Sequence, residues 1–164
     1  MHNPKLHVRI GDGREALLTT REHYDLIVSE PSNPYRAGVA NLFTRDFYLS
    51  VQNRLRPHGI FLQWIQTYDV DDRTIEILYQ TLGSVFPKID TWQTQEGDLL
   101  LLASQDLAPI NLDLLRARLA TEPFKTALRV AWSATGVEDF LAHHVGNPEM
   151  AATLQRIESW PLNT

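Results

Sequence analysis

The sequence predicts an α/β fold, and three observations lead there. Compact apolar runs alternate with stretches whose apolar residues recur three and four positions apart. Glycine or proline turns punctuate the runs. The alternation holds from Leu6 to Ser104, and after Pro109 only helical spacing remains. Strand and helix in alternation, then a hairpin and helices, is the pattern of a largely parallel sheet covered by helices.

The elements follow in order. Leu6–Ile10 alternates apolar and polar and stops at Gly11-Asp12-Gly13, a strand ending in a tight turn. Arg14 to Thr20 is a short helix. Tyr24–Glu30 is a strand of the kind buried on both faces of a parallel sheet. It stops at Pro31-Ser32-Asn33-Pro34, where two prolines forbid continuation. Thr44 caps a helix over Arg45–Leu55, with Phe47, Tyr48, Val51 and Leu55 near one face. Pro57-His58-Gly59 ends that helix and Gly59–Ile65 is the next strand. Asp71 caps a helix carrying Ile75, Leu78, Leu82 and Val85, which Pro87 stops. Lys88–Gln95 and Asp98–Ser104 form a hairpin about Glu96-Gly97. Four short helices follow, over Asn111–Ala120, Pro123–Ala131, Val137–His144 and Pro148–Ile157.

Composition narrows the function. The chain has 164 residues, a formal net charge of −5 and no cysteine. Phosphate binding needs clustered lysine and arginine, and the basic residues here are scattered, so nucleic acid is not an expected partner. Thiol catalysis, disulfides and thiolate zinc sites are excluded. No apolar run approaches the ~20 residues of a membrane span, so the chain reads as soluble and cytoplasmic, with a tether to a membrane segment in a longer parent left open.

Ligands of open α/β sheets bind beyond the carboxyl ends of the strands. Three such ends carry polar residues: Gly11-Asp12-Gly13, Glu30-Pro31-Ser32-Asn33, and Gln63 to Tyr68. Asp12 either accepts a hydrogen bond from an exocyclic amine such as that of adenine or caps the following helix. Glu30 either works on a cationic amine or pairs with Arg36 or Arg45. Asn33 is a ligand contact or a turn residue. Asp69, Asp71 and Asp72 read as helix capping rather than a metal cluster. His143 and His144 are adjacent and read as surface residues. Trp92, Trp132 and Trp160 read as core or interface.

The same strand ends resemble spermidine synthases and their spermidine-synthase-like relatives. The stretches concerned are Ile10 to Leu17 (Ile-Gly-Asp-Gly-Arg-Glu-Ala-Leu), Tyr24 to Pro34, Asn41 to Tyr48 and Leu55 to Trp64. The likeness covers about residues 4 to 104. The Glu-Pro-Ser-Asn-Pro version resembles a bacterial branch often fused to transporter-like membrane segments. It implies a partial Rossmann-like sheet of the class I methyltransferase type, with a C-terminal antiparallel hairpin and a helical tail. Residues 1–105 are then the C-terminal half of the nucleotide-binding domain, and 106–164 a helical extension.

The resemblance also implies a chemistry. A diamine nitrogen attacks the aminopropyl carbon of decarboxylated S-adenosylmethionine, a co-substrate, and methylthioadenosine leaves; no tightly bound cofactor or metal is expected. By position Asp12 and Gly13 hold the adenine, Glu30 is the base, and Asn33 and Gln63 lie at the diamine. Glu30 and Asn33 replace two aspartates of the family pattern. The glycine-rich nucleotide loop and the acidic ribose anchor have no counterpart here, so the domain is expected to be truncated and inactive alone. Two intervening strands also lack counterparts, which leaves a gap of about 14 Å between Leu6–Ile10 and Tyr24–Glu30 at about 4.8 Å per strand. The remaining sheet is therefore expected to centre on Tyr24–Glu30, Gly59–Ile65 and the hairpin, with Leu6–Ile10 displaced. A homodimer or a missing N-terminal segment would complete it. The alternatives are a non-catalytic interaction module of a larger membrane-fused protein and, third, an S-adenosylmethionine-dependent methyltransferase.

Overall fold

The computed structural model describes residues 4–31, 34, 38–68, 70–94, 97–157 and 160–164. Asn33, Arg36, Asp69 and Glu96, singled out above, lie outside the described residues.

The chain is α/β. Its mixed sheet runs in the order β1-β2-β4-β3-β5. The strands are β1 (Tyr24–Ser29), β2 (Leu55–Ile65), β3 (Lys88–Gln93), β4 (Leu99–Ser104) and β5 (His144–Gly146). The first two are parallel and all other pairings are antiparallel. The helices are α1 (Gly13–Thr19), α2 (Arg45–Gln52), α3 (Asp72–Gly83), α4 (Leu112–Leu119), α5 (Phe124–Trp132), α6 (Val137–Leu141) and α7 (Pro148–Ile157), with a 3-10 turn at Ala40–Phe43.

Strand β2 organises the core. Phe61, Gln63 and Ile65 alternate onto its buried face, as the two-residue side-chain period requires. Phe61 meets Tyr48 and Phe47 of α2 and Phe86 at ring-centroid distances of 5.7, 6.2 and 5.9 Å. Leu78, Tyr79 and Leu82 of α3 close the same cluster together with Ile89, Leu101 and Ala103. Helix α2 starts where Thr44 accepts the Phe47 N–H at 3.2 Å, and α3 starts where Asp71 accepts the Thr74 N–H at 2.8 Å. A hydrogen bond from the Thr74 side chain, and after it the one from the Thr74 N–H, holds the Asp71 carboxyl below its usual value. Burial pushes the Tyr48 hydroxyl far above its ordinary value.

Several expectations change. Leu6–Ile10 forms no strand: among the described residues no neighbour pairs with it, and Ile10 is 97% exposed. The sheet is centred, as expected, on β1, β2 and the β3–β4 hairpin. Its first strand, however, is not buried on both faces. With only β2 beside it among the described residues, β1 is an edge, and Leu26 and Val28 are each 54% exposed. Strand β2 begins at Leu55 rather than Gly59, because its pairing with β1 jumps from Tyr24↔Leu55 to Leu26↔Ile60 and takes Arg56 to Gly59 into a bulge. A Cβ on Gly59 would lie 2.9 Å from the Arg56 carbonyl oxygen, so the bulge requires glycine there.

The expected helix over Val137–His144 stops at Leu141 and the chain turns into β5, which adds to the sheet beside β3. His143 and His144 are consequently half-buried rather than surface residues. Nδ1 of His143 lies 2.8 Å from the Gln93 carbonyl and Nε2 of His144 lies 3.3 Å from Asp90. Trp92, buried, packs against Trp132 and Phe140 in the same place.

Candidate active site at the carboxyl edge of the sheet

Because β1 and β2 are parallel, their carboxyl ends open on one edge, with Ser29 directly opposite Gln63. Glu30 follows Ser29 at the point where Pro31 removes the next ladder donor. Its side chain is exposed and makes no ion pair with Arg45 among the described residues.

Gln63 is fully buried beneath this edge. Its Nε2 donates to the Ser29 carbonyl at 3.4 Å and to the Trp64 carbonyl at 3.1 Å. The side chain thus ties the carboxyl end of β1 to β2 just below Glu30. Its Oε1 is buried without a partner among the described residues. An unmade bond of that kind costs about 1–3 kcal/mol.

Asp12 caps α1. One oxygen, Oδ1, accepts the Arg14 and Glu15 N–H groups at 2.8 and 3.3 Å. Of the two roles read from the sequence, capping is therefore seen directly, and Oδ2 has no hydrogen-bond partner among the described residues.

Gly13 connects the pieces. A depression of about 250 Å³ is lined by Gly13, Leu17, Glu30, Pro31, Leu42 and Phe47. A second, of about 310 Å³, runs from Arg9 to Thr19 and includes Asp12 and Gly13. A third, of about 340 Å³, lies between α1 and the outer side of β1. The fold therefore brings Gly13 and Glu30 to one depression, sets Asp12 in its neighbour and lays Gln63 under the floor.

Leu42 and Phe47 were not read as site residues. Both lie in the Asn41–Tyr48 stretch of the family resemblance, and Phe47 also on an apolar helix face, but neither signal told that they would line a cleft. A larger depression, of about 520 Å³, lies at the opposite end of β2 around Leu55–Gly59 and Asp106. It touches none of these groups. Among the described residues no group of three or more His, Asp or Glu side chains could hold a metal ion.

The Spermine/spermidine synthase domain family matches residues 1–95. The chain belongs to this family. Among spermidine-synthase-like relatives, the polyamine aminopropyltransferase of Moorella thermoacetica is 25% identical over 156 residues, covering 91% of this chain and 54% of that protein. That of Korarchaeum cryptofilum is 28% identical over 86 residues, covering 52% and 26%. The chain spans about a quarter to a half of the length of these relatives. In three dimensions it resembles a spermidine synthase solved with the transition-state analogue AdoDATO, at a TM-score of 0.70 and 17% identity, over 95% of this chain and 53% of that one. The Thermotoga maritima spermidine synthase gives 0.64 and 18%, over 95% and 52%. The human methyltransferase-like protein 13, in complex with SAH, shares the fold at 0.54 and 17%, over 98% and 64%. No helix among the described residues is long and apolar enough to cross a membrane.

Proposed function

We propose that this chain carries the acceptor side and the adenine contacts of an aminopropyl-transfer site. In this reading decarboxylated S-adenosylmethionine donates the aminopropyl group and a diamine accepts it, with residues 1–105 carrying the chemistry and 106–164 the scaffold. The observation that carries the reading is the shared depression of Gly13 and Glu30 at the joint carboxyl edge of β1 and β2. Membership of the spermidine synthase family supports it.

The chemistry is a displacement at carbon. The amine lone pair bonds to the aminopropyl carbon next to the sulfonium, the C–S bond breaks, and its electrons return to sulfur as neutral methylthioadenosine. An alkylamine with a pKa of about 10.4 is protonated at neutral pH. It must first lose a proton, and the Glu30 carboxylate takes it. Asp12 receives the adenine amino group on Oδ2, Gly13 admits the ring beside the backbone, and Asn33 meets the far end of the diamine. Gln63 braces the peptide that carries Glu30 and does not touch the amine. That differs from the diamine contact suggested by resemblance, because its side chain is fully buried.

The free edge of β1 supports a further part of the reading, that turnover requires polypeptide covering that edge. Leu26 and Val28 are exposed and the outer ladder groups of β1 lack a neighbour among the described residues.

Calorimetric titration of the purified chain tests the assignment. Methylthioadenosine is expected to bind with a Kd on the order of 1 mM, about −4 kcal/mol. Asp12→Ala should abolish the heat and Glu30→Gln should leave it unchanged. Absence of binding in the parent chain, or equal binding in Asp12→Ala, overturns the assignment and returns the chain to the class of non-catalytic interaction modules.

A further inference from the structure

The segment after α7 runs from Trp160 to Asn163 and joins α3 to the adjoining 3-10 turn and start of α2, two regions far apart in sequence. On α3, the Trp160 N–H donates to Gln80 Oε1 at 3.1 Å and its indole Nε1 donates to Glu76 Oε2 at 2.9 Å. The Arg73 guanidinium lies 4.2 Å from the Trp160 ring centroid, a cation–π contact. The Asn163 N–H donates to Thr81 Oγ1 at 3.2 Å, and that hydroxyl itself donates to the Ile77 carbonyl at 2.7 Å. Thr81 is fully buried and its donor and acceptor are both used.

At its other side the segment closes two open backbone groups. The first N–H groups of a helix have no partner within the helix. In α2 the Phe47 N–H is taken by Thr44, and the Arg45 N–H donates to the Asn163 carbonyl at 2.8 Å. The Phe43 carbonyl, last in the 3-10 turn, accepts the Asn163 Nδ2–H at 3.2 Å. The 3-10 turn and α2 supply Leu42 and Phe47 to the Glu30 depression. On this side the bonds of Asn163 therefore fall on Phe43 and Arg45, between the two residues that form that wall.

We infer that Trp160–Asn163 is a strap that sets the Leu42–Phe47 wall of the Glu30 cleft, with Asn163 as a positioning residue for the acceptor amine. The inference rests on the aminopropyl-transfer reading for what the cleft holds, and on the hydrogen bonds alone for what the strap does. The adenine side, built from Asp12 and Gly13 on α1, receives no bond from the strap among the described residues. Loosening the strap should then act on the amine and spare the nucleoside.

Two measurements on the full chain separate the parts. Amide hydrogen exchange by NMR is compared between the parent, Asn163→Ala and Trp160→Ala. The Arg45 and Phe47 amides should exchange about tenfold faster in both variants, with the β2–β4 ladder amides unchanged. Unchanged Arg45 and Phe47 exchange, or an equal rise across the β2–β4 ladder, overturns the strap. NMR titrations with putrescine and with methylthioadenosine are then run on parent and Asn163→Ala. Putrescine affinity at the Glu30 amide should fall at least threefold and methylthioadenosine affinity should hold. Equal loss of both makes Asn163 a general stabiliser and overturns its positioning role. If the parent binds neither ligand, the aminopropyl-transfer reading fails, the positioning role fails with it, and the exchange result alone decides the strap.

Discussion

Gln63 and His58 show how single residues carry the local physics. Gln63 holds two carbonyls with one amide nitrogen inside the core. Gln63→Glu would replace that donor by a carboxylate facing the Ser29 and Trp64 carbonyls. It should cost about 3 kcal/mol or more at pH 7, read by urea unfolding. Burial favours the neutral acid, so its folded pKa would rise, and part of the loss should return as pH falls below that value. No loss at pH 7 would show that the amide brace contributes little. His58 sits at φ 63, in the left-handed region, with Nδ1 2.6 Å from an Asp106 oxygen. Asparagine adopts this backbone readily and a β-branched residue does not. His58→Asn should be nearly neutral in thermal unfolding, whereas His58→Val should lose about 2 kcal/mol. Equal effects would mean that the turn relaxes around the substitution.

At the scale of elements, the sequence announced most of the sheet and little of its setting. Phe61, Gln63 and Ile65 could be read because alternation on a half-covered strand is a local pattern. So could the caps at Thr44 and Asp71, where one side chain meets an amide three residues on. The exposure of Tyr24–Ser29 could not. An apolar run is the same string whether two strands flank it or one, and only the strands that pair with it decide. Strand β5 is three residues long, too short for any period to show, and it forms because β3 offers an open ladder. The site divides the same way. Asp12, Glu30 and Gln63 stand at strand or helix ends that pattern marks, whereas Leu42 and Phe47 reach the cleft through a loop geometry that no spacing encodes. Two substitutions check the edge assignment. Val28→Ser should cost under about 1 kcal/mol, because the side chain already meets water, while Leu101→Ala in the core should cost about 2–5 kcal/mol. Thr44→Ala should cost about 1 kcal/mol through the lost cap on α2. A loss at Val28 as large as at Leu101 would show that β1 is covered in solution.

For the whole molecule, pH acts through two core phenols. Burial raises the Tyr48 hydroxyl pKa, and burial also raises that of Tyr79, partly offset by its bond to Thr91. Both groups keep their protons in the folded state at pH values where an unfolded tyrosine loses them. Their contribution is intact below about pH 10 and is lost as pH rises above it, at about 1.4 kcal/mol per pH unit for each phenol that stays protonated when folded. Urea titrations between pH 8 and 11.5 should show stability flat at first and then falling, with a shallower fall in Tyr48→Phe. A flat profile to pH 11.5 would mean that both phenols are reached by water. The strap has a consequence of a different kind, in time. Asn163 Nδ2 and the Phe43 carbonyl are 120 positions apart. At about 5–20 residues per second, a ribosome that has just made Phe43 needs roughly 6 to 24 s to deliver Asn163. The amine-facing wall must therefore wait, unfastened, for a piece of chain that arrives long after it, and a nascent chain stalled before residue 160 should show the β1–β2 pairing already protected while the Arg45 amide still exchanges freely.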